Sequence, residues 1–127
     1  KQVIVIRRDL KMRRGKEIAQ GSHASGAWLA HLVLGGLDPA TGRSAITLGP
    51  AAQSWLTGSW RKVTLQATSE EQLRELHEEA LARGLLTELI TDSGRTEFGG
   101  VPTITALAIG PDLAERIDEV TGQLVIY

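Results

Sequence analysis

Two short runs of this chain are apolar at almost every position, and they constrain the fold more than any other feature. Residues 2–8, "QVIVIRR", contain a run of four β-branched apolar residues, and residues 102–110, "PTITALAIG", form a second run of strand length. A strand that is apolar on both faces must be covered on both faces. We therefore predict two buried strands, the second of which lies centrally in its sheet.

Helix and strand patterns alternate along the remaining residues. Periodicity and boundary signals predict four helices, at residues 15–34, 50–56, 69–84 and 111–120. Runs of strand length predict three more strands, at residues 60–68, 85–91 and 122–127. The order β-α-β-α-β-β-α-β predicts one α/β domain over residues 1–127, with helices packed on a mixed sheet.

The two longer helices carry local signals of their own. Ser69 and Gln72 form a capping box before the helix at 69–84, and Gly84 is its stop signal. Its apolar stripe is Leu73, Leu76, Ala80 and Leu81. The first helix is predicted to bury the face made of Ile18, Ser22, Ser25, Leu29, Leu32 and Val33.

The connection at residues 35–59 is unusually long for a compact domain. It is rich in Gly, Pro, Ser and Thr, and we expect a mobile excursion that contains a short helix begun by Pro50. Trp55 and Trp60 are predicted to anchor this segment by packing. The alternative is that they stack on exposed nucleotide bases.

Composition excludes several classes of function. The chain has no cysteine, so disulfides and thiolate chemistry are excluded, and its three histidines are too scattered to indicate a metal site. No stretch of 18 apolar residues is present, and the first apolar run is too short for a signal peptide. A cytoplasmic protein is therefore expected.

The net charge of −1 conceals an uneven distribution. Residues 1–16 balance at +6, whereas the other 111 residues balance at −7. Such a basic segment favours a surface that meets an anion such as phosphate, although a solvated N-terminal face would have the same composition.

One helical stretch, "RRGKEIAQGSHASGAW" at residues 13–28, combines basic and small residues. Lys16, Gln20 and His23 stand at i, i+4 and i+7 and share a helix face. Their neighbours Ala19, Ala24 and Ala27 would leave room for a large group to approach, and the helix start would bind an anion. A plain exposed polar face is the alternative interpretation.

A second candidate site lies in the loop "TDSGRTEF", residues 91–98. Asp-Ser-Gly is a common turn signal, but a turn does not require Arg95 or Thr96. An arginine can bind a carboxylate or phosphate with two parallel hydrogen bonds. Asp92 brought next to a lysine and a histidine could activate a water for ester cleavage.

Taken together, these segments resemble the archaeal and eukaryotic type of peptidyl-tRNA hydrolase. The resemblance covers nearly the whole chain, through "QVIVIRRDLKM", "GKEIAQGSHA", "DSGRT", "TALAIGP" and "IDEVTGQLVIY". It implies a three-layer α/β/α domain with a mixed four-stranded sheet, which often dimerises. The implied activity is hydrolysis of the ester between a peptide and the terminal ribose of tRNA, with no metal or organic cofactor. The implied partner is tRNA.

The resemblance also assigns roles to individual residues. The family's motifs place its catalytic positions at Lys16, Gln20, His23, Asp92 and Thr96. The implied contacts to tRNA phosphates are Arg7, Arg8, Lys11, Arg13, Arg14 and Arg95. The resemblance leaves open which group acts as the base.

This chain departs from the family pattern at several positions, namely Gly21, Glu97, Gly99, Gly100 and Gln123. Two alternatives therefore stand beside hydrolysis. One is a protein on the same scaffold that binds tRNA or another partner without turnover. The other is a tRNA-dependent enzyme with a changed acyl substrate.

Overall fold

The computed structural model describes all residues 1–127 and contains one four-stranded sheet. The strands are β1 (Gln2–Arg7), β2 (Leu37–Asp38), β3 (Arg43–Ser44), β4 (Lys62–Ala67), β5 (Thr87–Asp92) and β6 (Thr103–Ile109). The helices are α1 (Arg14–Gly35), α2 (Pro50–Thr57), α3 (Glu70–Ala82) and α4 (Ala114–Thr121). A short 3₁₀ turn covers Phe98–Gly100.

The main sheet is mixed and has the order β4-β1-β6-β5. β1 runs parallel to β4 and antiparallel to β6, and β6 runs antiparallel to β5. The two strands predicted from their continuous apolar runs are therefore the two inner strands. Their burial on both faces is confirmed, and β4 and β5 form the edges of the sheet.

A hydrophobic core lies on each face of the sheet, which confirms the predicted three layers. The larger core joins the sheet to α3 and α4 and includes Leu73, Leu107 and Ile117, all fully buried. The smaller core lies on the face that α1 covers and includes Ala24, Ala106 and Ala108. Small side chains in this second core let α1 lie close to the sheet.

The predicted buried face of α1 is wrong. The helix buries Gln20, Ala24 and Trp28, while Ile18 is 67% exposed and Val33 is 38% exposed. The physical reason is that each buried position has a partner from a distant part of the chain. Gln20 has a hydrogen-bond partner on β6, Ala24 fits against the alanines of the same strand, and Trp28 packs against the segment at residues 35–59.

The segment at residues 35–59 has more structure than an open loop. It begins with the β2–β3 hairpin and ends with α2, which starts at Pro50 as predicted. The ring of Trp55 packs edge-on against Trp28, with 6.3 Å between ring centroids, so its anchoring role is confirmed. Trp60 is 57% exposed, so the same prediction for Trp60 is wrong.

Two predicted boundaries near the end of the chain are also wrong. The last helix starts at Ala114 rather than Pro111, because the Asp112 amide donates to Lys1 O and ties this turn to the start of β1. Residues 122–127 form no regular strand. The isolated Leu65–Ile126 bridge and a hydrogen bond from Gln66 Nε2 to Ile126 O join them to the edge of β4.

None of the helices is both long enough and apolar enough to cross a membrane. The structure describes a single chain, so the homodimer that the resemblance implies stays a prediction.

The cap of α3 leads to a stability prediction. The Ser69 hydroxyl accepts a hydrogen bond from Gln72 N, and the Gln72 side chain accepts from Thr68 N. We expect Ser69→Ala to lower the free energy of unfolding by about 1 kcal/mol in urea titrations, because it leaves a helix N–H without this partner. Ser69→Asp keeps a side-chain acceptor at the cap and should cost much less. An equal loss in Ser69→Ala and Ser69→Asp would contradict this role of the hydroxyl.

Candidate active site

The structure joins the two candidate regions of the sequence through a lysine–aspartate ion pair. Lys16 lies in the first turn of α1 and Asp92 ends β5. Lys16 Nζ is 2.8 Å from Asp92 Oδ1 and donates to Thr96 Oγ1 at 3.1 Å. Both charged side chains are largely sheltered, with 14% and 12% of their surfaces exposed. Residues 76 positions apart thus meet at one edge of the sheet.

Three groups hold the Asp92 carboxylate. Oδ1 accepts from Lys16 and from Gln20 Nε2 at 3.2 Å, and Oδ2 accepts from Gly94 N at 2.8 Å. The hydrogen bond from Lys16, helped by those from Gly94 and Gln20, outweighs desolvation and lowers the pKa of Asp92 below its ordinary value of 3.8. Asp92 is therefore a fixed anion at neutral pH.

The loop that follows β5 requires glycine at position 94. Gly94 has a φ of +78°, and a Cβ there would lie 2.1 Å from Val101 O. Gly94 O also accepts from Gly100 N at 2.9 Å. The close approach of these two backbone segments positions the amide that holds Asp92.

Thr105 completes the cluster, and the sequence reasoning missed it. Its fully buried hydroxyl donates to Gln20 Oε1, so the amide nitrogen of Gln20 faces Asp92. Pairing of β5 with β6 shifts register here, because Ile90 pairs with Ala106 and Thr91 with Ile104. Thr105 is the extra residue of this bulge, and bulges re-aim side chains next to active sites. A polar residue inside an apolar central strand was the available signal.

His23 lies beside this network without joining it. Its side chain is exposed and makes no hydrogen bond within the chain. It does line the same cleft as Gln20 and Asp92. The structure therefore brings Lys16, Gln20, Asp92 and Thr96 into contact and places His23 at the cleft wall, while the catalytic roles stay predictions.

The basic residues divide into engaged and exposed groups. The Arg7 guanidinium pairs with Asp9 at 2.5 Å and donates to Ile104 O at 2.9 Å, so it serves the fold rather than an open phosphate site. Arg13 is 81% exposed and pairs with Glu97 at 2.8 Å. The other predicted phosphate ligands are exposed, and they are Arg8, Lys11, Arg14 and Arg95.

A cleft of about 730 Å³ starts at the ion pair and runs between α1 and β5. From α1 it is lined by Gln20, Ser22, His23, Gly26, Ala27, Ala30 and His31. From β5 and the residue after it, the lining residues are Glu88, Leu89, Ile90, Thr91, Asp92 and Ser93. No three metal-ligating side chains come together anywhere in the chain, so we assign no metal site.

Comparison with known proteins identifies the family of this chain. The family described as "Peptidyl-tRNA hydrolase PTH2" matches residues 1–127. This chain belongs to that family. The sequence resemblance is therefore confirmed.

Named relatives match this chain over most of their length. A peptidyl-tRNA hydrolase of Methanopyrus kandleri is 44% identical over 98% of this chain and 95% of its own. One of Methanocaldococcus jannaschii is 38% identical over 98% and 96%. A probable peptidyl-tRNA hydrolase 2 of Schizosaccharomyces pombe is 36% identical over all of this chain and 56% of its own.

A solved structure supports the fold independently. A protein of unknown function from Agrobacterium tumefaciens strain C58 superposes with a TM-score of 0.59, over all of this chain and 96% of its own. The two sequences are only 14% identical, so the likeness concerns the fold alone.

Removing the lysine of the ion pair should raise the pKa of Asp92 toward its ordinary value. We expect the pKa of the Asp92 carboxyl to rise in Lys16→Met, because the largest favourable contact to the carboxylate is lost. In the native chain this depressed pKa stabilises the fold above the unfolded pKa of about 4, and the contribution disappears as pH falls through the folded value. Carboxyl ¹³C shifts followed against pH give the measurement.

A matched lysine variant controls that titration. Lys62→Met removes an exposed lysine that lies over Trp55 and has no carboxylate partner. It should leave the Asp92 titration unchanged. An unchanged Asp92 pKa in Lys16→Met would show that the ion pair does not set it.

Thr105 provides a second prediction at this site. Thr105→Val keeps the volume but leaves Gln20 Oε1 buried without a donor, which should cost about 1–3 kcal/mol of unfolding free energy. Thr105→Ser restores the donor and should recover most of that loss. The loss should also disappear in a Gln20→Leu background, which a double-mutant cycle in urea would reveal.

The chain offers a matched control for this variant. Thr121 is 2% exposed, and its hydroxyl donates at 3.1 Å to Ile117 O, in the opposite core. Thr121→Val should show no coupling to Gln20. Coupling of equal size for both threonines would contradict a specific role for Thr105.

Proposed function

We propose that this chain hydrolyses the ester that links a peptide to the 3′-terminal ribose of tRNA. The observation that carries the proposal is the sheltered Lys16–Asp92 pair at the head of a cleft and beside an exposed basic segment. Membership of the PTH2 family supports it, as do relatives named peptidyl-tRNA hydrolase at 36–44% identity.

Lys16 is the group that stabilises negative charge in this proposal. An ammonium has three N–H donors, and Asp92 and Thr96 accept two of them. The third is left for the carbonyl oxygen of the ester as it becomes an oxyanion. Because Asp92 and Thr96 already fix the ammonium, little reorganisation is needed when that charge develops.

Asp92 anchors Lys16 rather than taking a proton. Both of its oxygens accept hydrogen bonds and its pKa is lowered, which makes it a weak base. Gln20, oriented by Thr105, keeps the carboxylate in place. This arrangement explains why a buried amide belongs to the cluster.

His23 is the base in this proposal, because its imidazole is unpaired and lines the same cleft. It takes a proton from water as the water oxygen bonds to the ester carbon. The tetrahedral intermediate then breaks its bond to the ribose oxygen. The imidazolium returns the proton to that oxygen, which leaves a free peptide acid and tRNA with a 3′-hydroxyl.

Exposed basic residues next to Lys16 would bind the phosphates of the tRNA end. We assign this role to Arg8, Lys11, Arg13, Arg14 and Arg95, and not to Arg7. Protein binding releases the counterions held by the phosphates. This release contributes less to affinity as the salt concentration rises, so binding weakens. The pairing of Glu97 with Arg13 reduces the added negative charge that had motivated a non-catalytic binding protein.

The first experiment is a hydrolysis assay with matched substrates. Purified protein is incubated with N-acetyl-aminoacyl-tRNA and, separately, with free aminoacyl-tRNA. We expect ester release from the acetylated substrate only. In Lys16→Ala the rate should fall by about 10²–10³, and in His23→Gln by about 10²–10⁴.

Another histidine provides the control for that assay. His77→Gln changes a histidine on α3, on the opposite face of the sheet, where it contacts Thr87. It should leave the rate unchanged. Bound tRNA without ester release would overturn the proposal in favour of a binding protein. Release from free aminoacyl-tRNA at the same rate would favour a changed acyl substrate.

A further inference from the structure

The outer edge of β5 is an open hydrogen-bonding surface next to the ion pair. β5 is an edge strand whose only sheet partner is β6. Apart from that pairing, no backbone or side-chain hydrogen bond reaches the backbone groups of Thr87–Asp92. An edge strand of this kind is a template for one more strand.

The cleft exposes this edge rather than only one face of the strand. Successive side chains of a strand point to opposite faces, so a cavity above one face meets every second residue. This cleft is lined by six consecutive residues, Glu88 to Ser93. It therefore reaches the backbone edge of β5 itself.

The dimensions of the cleft suit a short extended chain. Asp92 lies at one end, and at the other end His31 Nδ1 is 2.9 Å from Glu88 Oε1. Glu88 and Asp92 are four positions apart along the strand, a span of about 13 Å. Such a span accommodates roughly four residues of an extended peptide.

Small residues form the middle of the wall opposite β5, between His23 and His31. Gly26, Ala27 and Ala30 of α1 line the cleft there. Small residues leave room for side chains of different size, so affinity would come from the main chain. That property suits a substrate whose peptide sequence varies.

We propose that the peptide of the substrate binds in this cleft as an added strand along the outer edge of β5. The inference rests on the proposed function, which places the ester carbonyl next to Lys16 and Asp92. The peptide then extends from its C-terminal residue at Asp92 toward Glu88 and runs parallel to β5. Main-chain hydrogen bonds to every second residue of β5 hold it, as in other complexes that add a strand to a sheet edge.

A groove on the other flank of α1 is the competing location. It has a volume of about 790 Å³ and includes Ile4, Ile6, Gly21 and Tyr127 among its lining residues. It touches neither Asp92 nor Gln20. A peptide whose ester lies at Lys16 is therefore continuous with the β5 cleft and not with this groove.

An uncleavable probe tests the location directly. The probe is an N-acetyl pentapeptide joined by an amide to 3′-amino-3′-deoxyadenosine, and its partner carries one N-acetylated residue. NMR of the labelled protein should show slower hydrogen exchange at alternate amides of β5 with the pentapeptide probe only. Slower exchange around Ile4 and Tyr127 instead, or no difference between the probes, would overturn the inference.

Backbone methylation tests the main-chain contacts. Each peptide N–H of the probe is replaced in turn by N-methyl. We expect affinity to fall by about 2- to 10-fold at alternate positions and to change little between them, because only every second N–H faces β5. An equal effect at all positions, or none, would contradict strand addition.

Two tryptophan variants connect the cleft to turnover. Ala30→Trp fills the far part of the cleft, whereas Leu34→Trp changes an exposed position on α1 that lines neither this cleft nor the groove next to Tyr127. The measured quantity is the ratio of kcat/KM for pentapeptidyl-tRNA to kcat/KM for N-acetyl-aminoacyl-tRNA. This ratio should fall at least about 5-fold in Ala30→Trp only, because the longer peptide would lose one or two main-chain hydrogen bonds. An unchanged ratio would overturn the inference.

The two proposals fail in different ways. If the pentapeptide probe slows exchange along β5 while neither ester is hydrolysed, peptide binding stands and the hydrolase proposal falls. If both esters are hydrolysed while the probe leaves β5 unchanged, the hydrolase proposal stands and strand addition falls.

Discussion

The close packing of α1 on the sheet is the constraint on which the rest of this structure depends. Ala24 of the helix lies against the alanine-lined face of β6, and Gly21 would touch Ile4 and Ile6 at 3.7–3.8 Å if it carried a Cβ. At this spacing the Gln20 amide reaches both Thr105 and Asp92. Larger side chains between α1 and the sheet would move the helix away from the sheet and separate Lys16 from Asp92.

A sheltered ion pair is costly unless further hydrogen bonds satisfy it, because both charges lose water. In this structure the hydrogen bonds also fix the positions of the two charged groups. Gly94 and Gln20 hold the carboxylate, the carboxylate and Thr96 hold the ammonium, and the proposed reaction uses the third N–H of the ammonium for substrate. Charge is thus placed in advance where the ester carbonyl would develop it, at the end of a cleft bounded by a free strand edge.

Much of the architecture could be predicted from the sequence, and the failures concern which side chains are buried in the tertiary structure. The inner strands, the Ser69 cap and the helix begun by Pro50 depend on local chemistry, so local patterns revealed them. The buried face of α1 was mispredicted because its partners lie far away in the chain. Gln20 bonds to Thr105, Ala24 fits against the alanines of β6, and Trp28 packs against a ring of α2. Trp60 was predicted to pack against the protein because large aromatic rings are usually buried, yet its surface is 57% exposed.

The sequence by itself determined most of the order of strands and helices, the basic segment and the family, because periodicity, charge and motifs are properties of the chain. It also indicated Lys16, Gln20, Asp92 and Thr96 as candidates. It predicted neither the β2–β3 hairpin nor the absence of a strand at residues 122–127. Only the tertiary structure decided that Arg7 turns inward, that Thr105 orients Gln20, and that β5 presents a free edge to the cleft. These facts depend on strand order, a register shift and the distance between α1 and the sheet, which arise when distant segments pack together.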